Sequence, residues 1–292
     1  MDFRLSRDQE DLRRGVRELL AGRFGREALR AAVDGAADGG GALDRGLWKE
    51  LGEAGFFALR LPEERGGVGL GLPEAVLVFE EAGRALVPGP LVATHLAAGP
   101  VPGAAEGRAV VTGVSSEGLV PWLDAADVVL GPAGDAVPVR SVDPLTPLHR
   151  VPGTGGAEVR EAALLTAAEQ VGTAAWCTDA AVEHARRREQ FGQPIGGFQA
   201  VKHLCAGMLV RTELARAAVW AAAVTADPVE IAGAKLLADE AAVANARDCL
   251  QVHGGMGFTW EADVHLHLKR AWVRAALVLP GARAAEEVAA AL

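Results

Sequence analysis

Three zones of different hydrophobic patterning follow one another along the 292-residue chain. In the first and third zones, apolar residues recur every three or four positions, which is typical of amphipathic helices. Between them, short β-branched runs such as Ala109-Val110-Val111-Thr112 alternate with frequent turn residues, a pattern that favours strands. The chain is therefore predicted to be mainly α, with an N-terminal α-helical domain over 1–98, a small β middle domain over 99–157 and a C-terminal helical bundle over 158–292.

Local signals mark where several helices begin and end. Ser6 followed by Gln9 predicts a capping box at the start of the first helix. In the third zone, breaks are expected near 192–197, at Asp227-Pro228 and near 253–257. Because loops this short between long helices favour antiparallel neighbours, the third zone is predicted to be a four-helix bundle.

The overall charge limits the classes of partner. The chain carries 29 Lys and Arg against 38 Asp and Glu, a net charge of -9, which argues against nucleic-acid and anionic-membrane binding. No apolar run approaches the roughly 20 residues that a membrane span requires. The first six residues lack the order of a signal peptide. We therefore expect a cytoplasmic protein, in which any anionic ligand is met by local groups.

Cysteine and histidine spacing gives no reason to expect a metal site. Cys177, Cys205 and Cys249 are odd in number and far apart, which argues against a disulfide framework or a thiolate site and favours core positions. His265 and His267 are two residues apart, and on a helix that spacing points two side chains to different faces. Trp260 and Trp272 are expected in the core, given their helical surroundings.

One candidate for chemistry lies at the end of a long helix. Arg186, Arg187 and Arg188 close that helix, and a guanidinium fork matches a phosphate or pyrophosphate better than a lysine does. Phe191 follows three residues later, where its ring could lie against an adenine. Gly192 would support a helix-terminating turn. The alternative is that the three arginines only complement the helix dipole.

A glycine cluster some fifty residues later changes the balance between these interpretations. In Gln251-Val252-His253-Gly254-Gly255-Met256-Gly257, residues without a β-carbon let a ligand approach the main chain. Gln251 offers an amide that both donates and accepts hydrogen bonds. A glycine cluster between helices is otherwise only a turn. Its pairing with the arginine motif at this separation favours a shared binding site.

Together these motifs resemble the flavin-side signatures of the acyl-CoA dehydrogenase family. The resemblance covers most of the chain, because Leu61-Pro62-Glu63-Glu64 and Glu80-Glu81-Ala82-Gly83 look like parts of the family's helical entry domain. It implies FAD as cofactor and an acyl-CoA thioester as substrate. It also implies a set of residues that contact, in trans, the ADP portion of an FAD held mainly by the neighbouring subunit: Arg188, Gln190, Phe191, Gln199, Gln251, Gly254 and Gly255.

The middle zone departs from the family pattern. A threonine-glutamate-proline segment followed by glycine-serine-aspartate normally reaches the flavin ring and the thioester. Here the chain passes from Leu96-Ala97-Ala98-Gly99 almost directly to Gly107-Arg108-Ala109-Val110-Val111. The middle domain is therefore about half the family's size, and the chain resembles one subunit of heteromeric, actinobacterial-type acyl-CoA dehydrogenases.

The family's catalytic base has no clear counterpart either. Its usual position falls near Val278, where no carboxylate exists. In a subset of the family the base lies at the start of the helix leading to Arg188, which corresponds to Ala162, with Glu161 one residue away. A one-residue slip turns a helical side chain by roughly 100°. No catalytic residue is therefore assigned, and Glu169, further along, is expected in packing or an ion pair.

Three functions remain open at this point. The first is a subunit that contributes the ADP-side FAD pocket in trans to a full-length acyl-CoA dehydrogenase partner, in a complex that removes hydrogen from the α and β carbons of an acyl-CoA. The second is a self-sufficient, homo-oligomeric FAD acyl-CoA dehydrogenase. The third is a non-catalytic scaffold subunit of the same fold. Both enzymatic functions require an oligomer, because a site shared in trans cannot form in a monomer.

Overall fold

The computed structural model describes residues 4–37, 43–153, 155–156 and 159–291. Within these ranges, helices occupy both ends of the chain and short strands lie between them, which confirms the predicted mainly α fold. The helices are α1 Arg7–Arg23, α2 Arg26–Ala37, α3 Arg45–Glu53, α4 Leu72–Arg84, α5 Leu91–Leu96, α6 Arg160–Arg187, α7 Gln199–Thr225, α8 Pro228–His253, α9 Val264–Leu277 and α10 Gly281–Ala290. The strands are β1 Val111–Gly113, β2 Leu119–Pro121, β3 Val128–Leu130, β4 Val137–Val139, β5 Leu148–Arg150, β6 Glu189–Gln190 and β7 Gln193–Pro194. None of the helices in these ranges is both long and apolar enough to cross a bilayer.

The N-terminal helices are held by a capping box and by an ion pair that joins α1 to α4. The capping box is present, since the Gln9 N–H donates to Ser6 Oγ at 3.2 Å and the Ser6 N–H donates to Gln9 Oε1 at 2.9 Å. Further along α1, the Arg17 guanidinium donates to both oxygens of Glu81 on α4, at 2.7 and 2.6 Å. Helix α4 in turn packs against α6, so the N-terminal domain is attached to the bundle through α4.

In its described residues, the middle segment contains five strands of three residues each. Strands β1 and β3 form a parallel pair, and β2, β5 and β4 form an antiparallel sheet in that order. Thr94 on α5 ties this segment to the helices, because its hydroxyl donates to the Val111 carbonyl and accepts from the Val111 N–H, both at 3.0 Å. The expected junction between the middle domain and the bundle, at residues 157 and 158, lies outside the described residues.

Two glycines allow α4 and α6 to approach each other closely. A β-carbon added at Gly172 would lie 1.9 Å from the Glu80 carbonyl oxygen, and one added at Gly83 would lie 2.0 Å from the Glu169 carbonyl oxygen. Backbone atoms cannot move aside as a flexible side chain can. The crossing that places α6 at the centre of the molecule therefore depends on the absence of both side chains.

Gly172→Ala is expected to lower the free energy of unfolding by about 1–3 kcal/mol, because its methyl group would force α4 and α6 apart. The matched control is Gly233→Ala on α8, where no atom lies within 4 Å of the added β-carbon. In a helix interior this control should raise stability by about 0.5–1 kcal/mol. Urea unfolding of both variants checks the prediction. Effects of the same sign would contradict the close crossing.

A buried asparagine joins three helices of the bundle. Asn245 on α8 donates to the Met208 carbonyl at 2.9 Å and to the Thr212 hydroxyl at 2.8 Å, both on α7. The same amide lies 3.2 Å from the Thr178 hydroxyl on α6. Its oxygen accepts from Arg211 at 2.8 Å, so both ends of the amide are used. Because a buried polar group must find partners, this node fixes the relative position of α6, α7 and α8.

His95 makes the stability of the N-terminal region depend on pH. Its Nδ1 lies 3.1 Å from the Phe57 carbonyl oxygen and its ring meets the edge of Phe79. Burial, assisted by the positive charge of Arg60, lowers the pKa of His95 to about 4. The unfolded chain therefore binds this proton at higher pH than the folded chain. The stability that the folded chain gains by keeping His95 neutral is fully present above about pH 6.5 and is lost as the pH falls towards 4.

The pKa of His95 falls from 6.5 in the unfolded chain to about 4 in the folded chain, which at roughly 1.4 kcal/mol for each tenfold change in proton affinity contributes about 3.5 kcal/mol. Thermal unfolding between pH 7 and pH 4.5 should show the loss. His95→Leu should give a shallower slope, since its side chain takes up no proton. An unchanged slope in this variant would assign the acid sensitivity to other groups.

Candidate cofactor site

Helix α6 ends one residue before the predicted phosphate-binding arginine. The Arg188 N–H donates to the His184 carbonyl at 2.8 Å, and its backbone then turns to an extended conformation. The neighbouring Arg187 forms an ion pair with Glu183 one turn earlier. No carboxylate of the described residues pairs with the exposed Arg188 side chain. Of these two arginines, Arg188 is the one left available to an outside anion.

A two-residue hairpin presents the predicted adenine-stacking ring. Strands β6 and β7 are joined by Phe191 and Gly192, which have φ angles of 54° and 80°. Gly192 was expected to end the helix; instead, the helix ends earlier and Gly192 completes a hairpin turn of the kind that needs two positive φ values. A phenylalanine in this region is strained, and its side chain is 94% exposed. Only Phe198 lies near the ring, at 6.1 Å among the described aromatic contacts.

The glycine motif forms the end of α8. Gly254 has φ 61° and ψ -144°, a conformation that a side chain would oppose. No atom lies within 4 Å of a β-carbon built at Gly254 or Gly255. The protein's own packing therefore does not require a glycine at Gly255, whereas it does require one at Gly172 and at Gly83. Open main chain at this point is what a closely approaching ligand requires. Gln251 is exposed on the preceding turn.

A stacked histidine pair brings the two motifs together. The rings of His184 and His253 lie 4.1 Å apart at an angle of 25°. His184 accepts the hydrogen bond from Arg188, and His253 directly precedes Gly254. The ends of α6 and α8 are therefore neighbours, and Arg188 and the glycine turn share one end of the bundle. Burial, with the charges of His253 and Arg188, lowers the pKa of His184.

The remaining two predicted contacts differ in their availability. Gln199 is exposed at the start of α7. Gln190 instead donates from Nε2 to the Glu189 carbonyl at 2.6 Å, so its amide is engaged by its own hairpin. His184 is not among the residues predicted from the sequence, although it stands four residues before Arg188 and thus one turn away on the same helix face. His253 lies within the glycine motif, but no role was predicted for it.

A second candidate site is a largely apolar cavity of about 590 Å³ at the other end of α6. Helix α5, strand β1, the start of α6 and the end of α9 enclose it. The walls include Leu91, Leu96, Val114, Trp122 and Leu277. This volume falls within the usual range for a site that takes a small molecule.

The carboxylates near this cavity are already paired. Glu169 Oε1 accepts from Arg274 Nη2 at 2.8 Å, both groups being buried, which confirms the expected ion pair. Burial raises the pKa of Glu169, and burial lowers the pKa of Arg274 to about 10. Glu161 points to Arg60, at 2.6 and 3.1 Å, and does not line the cavity.

The positions that the family resemblance gives for a catalytic base are apolar. Ala162 and Val278 both line the cavity. The cavity therefore carries a methyl or isopropyl group at each place where a family member would carry its base. From Ala162 to Arg188 is 26 residues, which corresponds to about 39 Å along the helix. The cavity and the Arg188 site are thus at opposite ends of the bundle.

The two tryptophans predicted in the core are not buried. Trp260 and Trp272 are 44% and 40% exposed, so that prediction was wrong. Each ring instead lies beneath a cation, Lys269 at 4.9 Å from Trp260 and Arg247 at 6.0 Å from Trp272. A cation over an aromatic face is attractive at the surface, so helical surroundings alone did not require burial.

The three cysteines, which are far apart in the sequence, lie in one packed cluster, whereas the C-terminal histidines lie apart from each other. Cys177 and Cys249 are buried and Cys205 is partly buried, and all three are free thiols. His265 and His267 stack on different tryptophans, which confirms that they point to different faces. Across the described residues, no group of three or more His, Cys, Asp or Glu side chains is placed to hold a metal ion.

Comparison with known proteins places these features in a family. The models of the acyl-CoA dehydrogenase N-terminal and C-terminal domains match residues 6–105 and 157–283. The chain is 40% identical over 294 residues to acyl-CoA dehydrogenase IpdE2 of Mycobacterium tuberculosis, covering 90% of this chain and 91% of that protein. It is 36% identical to acyl-CoA dehydrogenase FadE34 of the same organism, covering 90% of this chain but 44% of that protein.

A solved structure has the same fold. The ChsE4-ChsE5 complex from Mycobacterium tuberculosis matches with a TM-score of 0.85 at 23% identity, over 99% of this chain and 98% of that chain. At this identity the likeness concerns the fold alone. The domain models and the 40% identity to a relative of nearly equal span decide the family. The chain belongs to the acyl-CoA dehydrogenase family, whose members are flavin-dependent oxidoreductases.

Proposed function

We propose that this chain is one subunit of a heteromeric acyl-CoA dehydrogenase, and that it binds the ADP portion of an FAD whose ring is held by a full-length partner subunit. The main support for this proposal is the separation of about 39 Å along α6 between Arg188 and the cavity. One FAD molecule is too short to reach from Arg188 to the cavity. The bundle end therefore serves a flavin whose ring lies in another subunit.

The groups at the bundle end fit an adenosine diphosphate. Arg188, which pairs with no carboxylate of the described residues, offers its guanidinium fork to the diphosphate, a charge-assisted contact. Phe191 offers an exposed aromatic face for an adenine, and Gly254 and Gly255 leave open main chain. Gln251 adds an exposed amide. When bound, FAD would supply the hydride acceptor, while the residues of this chain bind and orient its tail.

The proton-abstracting step is assigned to the partner. Dehydrogenation needs a carboxylate within hydrogen-bond reach of the substrate α-carbon. In this chain the two family positions are Ala162 and Val278, and the cavity carboxylate Glu169 is held by Arg274. The segment that reaches the flavin ring in the family is also missing from the sequence. A full-length subunit would supply both.

The relative FadE34 supports a two-unit arrangement. The region that matches this chain is 44% of FadE34, so that protein carries further sequence longer than the matching part. If two such units always work as a pair, they could also be encoded as a single chain. FadE34 is long enough to contain this unit and a second one of at least equal length. The acyl-CoA substrate follows from the family, and its acyl chain is chosen by the partner's pocket.

One observation favours a second candidate function, the self-sufficient homo-oligomeric dehydrogenase. The cavity of about 590 Å³ is retained, and it contains a buried carboxylate whose pKa is raised, as a general base needs. The ion pair with Arg274 argues against this role, because the guanidinium already occupies the Glu169 oxygen Oε1, which a general base would need for the substrate proton.

Three preparations distinguish these functions: the chain alone, a full-length acyl-CoA dehydrogenase from the same genome alone, and both produced together. Each is assayed for acyl-CoA-dependent reduction of an artificial electron acceptor. We expect activity from the joint preparation only. Activity from the chain alone would establish the self-sufficient enzyme instead. A complex that forms but stays colourless and inactive would support the third function, a non-catalytic scaffold subunit.

A further inference from the structure

A smaller pocket lies between the N-terminal helices and the bundle, apart from both candidate sites. Its volume is about 290 Å³, enough for roughly ten water-sized groups. Helices α1, α2, α4, α6 and α9 all contribute to its lining. Its apolar wall includes Leu20, Ala21, Phe24, Leu29 and Ala85. We call this space the α1–α9 pocket.

One polar side chain in the lining of the α1–α9 pocket is buried without a partner. His267 on α9 is 1% exposed, and its Nδ1 forms no hydrogen bond with the described residues. The ring lies flat against Trp176, with the ring centres 3.8 Å apart. This stack uses a face of the ring and leaves its edge, which carries the nitrogen atoms, available. Because a buried polar group normally has a hydrogen-bond partner, the unpartnered nitrogen indicates a site for a polar ligand.

The charges around His267 favour an anion as that ligand. Burial and the positive charges of Arg270, Arg274 and Arg84 hold the pKa of His267 well below its ordinary value. The ring is therefore neutral near pH 7 and donates from one nitrogen. The same positive potential that opposes a proton on His267 attracts a negative group beside it.

The two carboxylates in the lining do not compete for this position. Both oxygens of Glu81 accept from the guanidinium on α1 at 2.7 and 2.6 Å, and Asp263 accepts from Arg26 at 2.7 Å. Arg84 also lines the pocket, but it pairs with Asp179, which lies outside the lining and is 66% exposed. An exposed pair of this kind contributes little, so Arg84 can exchange it for the anionic group of a ligand.

We propose that the α1–α9 pocket binds a small monocarboxylic acid with an apolar body. Its carboxylate accepts a hydrogen bond from His267 and pairs with Arg84. Its body packs against the apolar wall, which a hydrated inorganic anion would leave unused. The pocket holds far fewer atoms than FAD or an acyl-CoA contains, so this site goes beyond the proposed function and does not depend on it.

Benzoate and hexanoate are the probes, one planar and one flexible, and benzyl alcohol and 1-hexanol are their uncharged counterparts. Each is titrated into the isolated full chain in a calorimeter, up to about 10 mM. We expect at least one acid to bind saturably, with one molecule per chain. Its alcohol should bind roughly tenfold more weakly or worse, because hydrogen bonds to a charged group are lost. No saturable binding of either acid, or equal affinity of acid and alcohol, would overturn the proposal.

His267→Phe removes the donor and keeps an aromatic ring against Trp176. The matched control is His265→Phe on the same helix. The ring of His265 also stacks on a tryptophan and its Nδ1 also lacks a partner among the described residues, but it does not line the pocket. We expect His267→Phe to weaken acid binding at least about tenfold and His265→Phe to leave it unchanged. Equal affinities of the two variants would refute the role of His267.

Arg84→Met tests the site without altering the buried ring. Because Asp179 is exposed, this substitution should change the stability of the chain little, and the melting temperature of the variant verifies that it is folded. Arg45→Met is its control, since the pair of Arg45 with Asp127 is also exposed and Arg45 does not line the pocket. We expect at least about tenfold weaker acid binding in Arg84→Met alone. Unchanged binding in this variant would contradict an anion site in the α1–α9 pocket.

Discussion

Arg188→Ala is expected to release most of the flavin from the assembled complex without unfolding it. The guanidinium is exposed and has no carboxylate partner among the described residues, so its removal costs the protein little. A hydrogen bond to a charged group contributes about 1.5–3 kcal/mol, which corresponds to roughly 10- to 100-fold weaker binding. Flavin absorbance per mole of complex, after gel filtration in dilute buffer, measures the effect.

Arg187→Ala is the matched control for this substitution. Arg187 stands next to Arg188 and complements the same helix dipole, but its side chain is paired with Glu183. If the arginines only stabilise the end of α6, the two variants should behave alike. Equal flavin retention in both would therefore return Arg188 to that structural role and remove it from the proposed site.

Glu169→Ala is expected to cost about 3–5 kcal/mol of unfolding free energy, because it leaves the Arg274 guanidinium buried and unpaired. Glu161→Ala provides the control. Its ion pair with Arg60 is partly exposed, and such pairs contribute about 0–1 kcal/mol. Chemical unfolding of both variants gives the comparison.

The double variant Glu169→Leu with Arg274→Met should recover most of this loss, since an apolar pair can replace a buried ion pair. A different result would change the assignment of Glu169. If Glu169→Ala were as stable as the unmodified chain but abolished turnover of the complex, Glu169 would be a catalytic base and the reaction would take place in this chain.

The parts of the fold that the sequence predicts are those with local causes. Ser6 and Gln9 form their capping box because both partners lie within one turn. Asp227 caps α8 as the break before Pro228 suggests, accepting from the N–H groups of Val229 and Glu230 at 2.8 and 3.0 Å. Helical periodicity in the first and third zones predicts the mainly α architecture in the same way.

The site is only partly visible in the sequence because its decisive contacts are non-local. The stack of His184 on His253 joins two helix ends that are far apart in the chain. Arg187 pairs with Glu183, whereas Arg188 meets no carboxylate in the part of the chain that the structure describes, and this difference depends on which way each side chain leaves the end of the helix. The hairpin at Phe191 depends on two consecutive positive φ values. The glycine at 192 predicts the second of them, but nothing in the sequence predicts a positive φ at Phe191. The assignment of FAD contacts to these residues remains a prediction.

The flavin content of the chain, alone and in its complex, shows whether the flavin is shared between two subunits. The chain is purified alone and, separately, in complex with its full-length partner, and bound flavin is counted per chain from the absorbance spectrum and the mass of each species. We expect a colourless isolated chain and a yellow complex that contains one flavin for each copy of this chain. A yellow isolated chain with one flavin per copy would contradict this expectation.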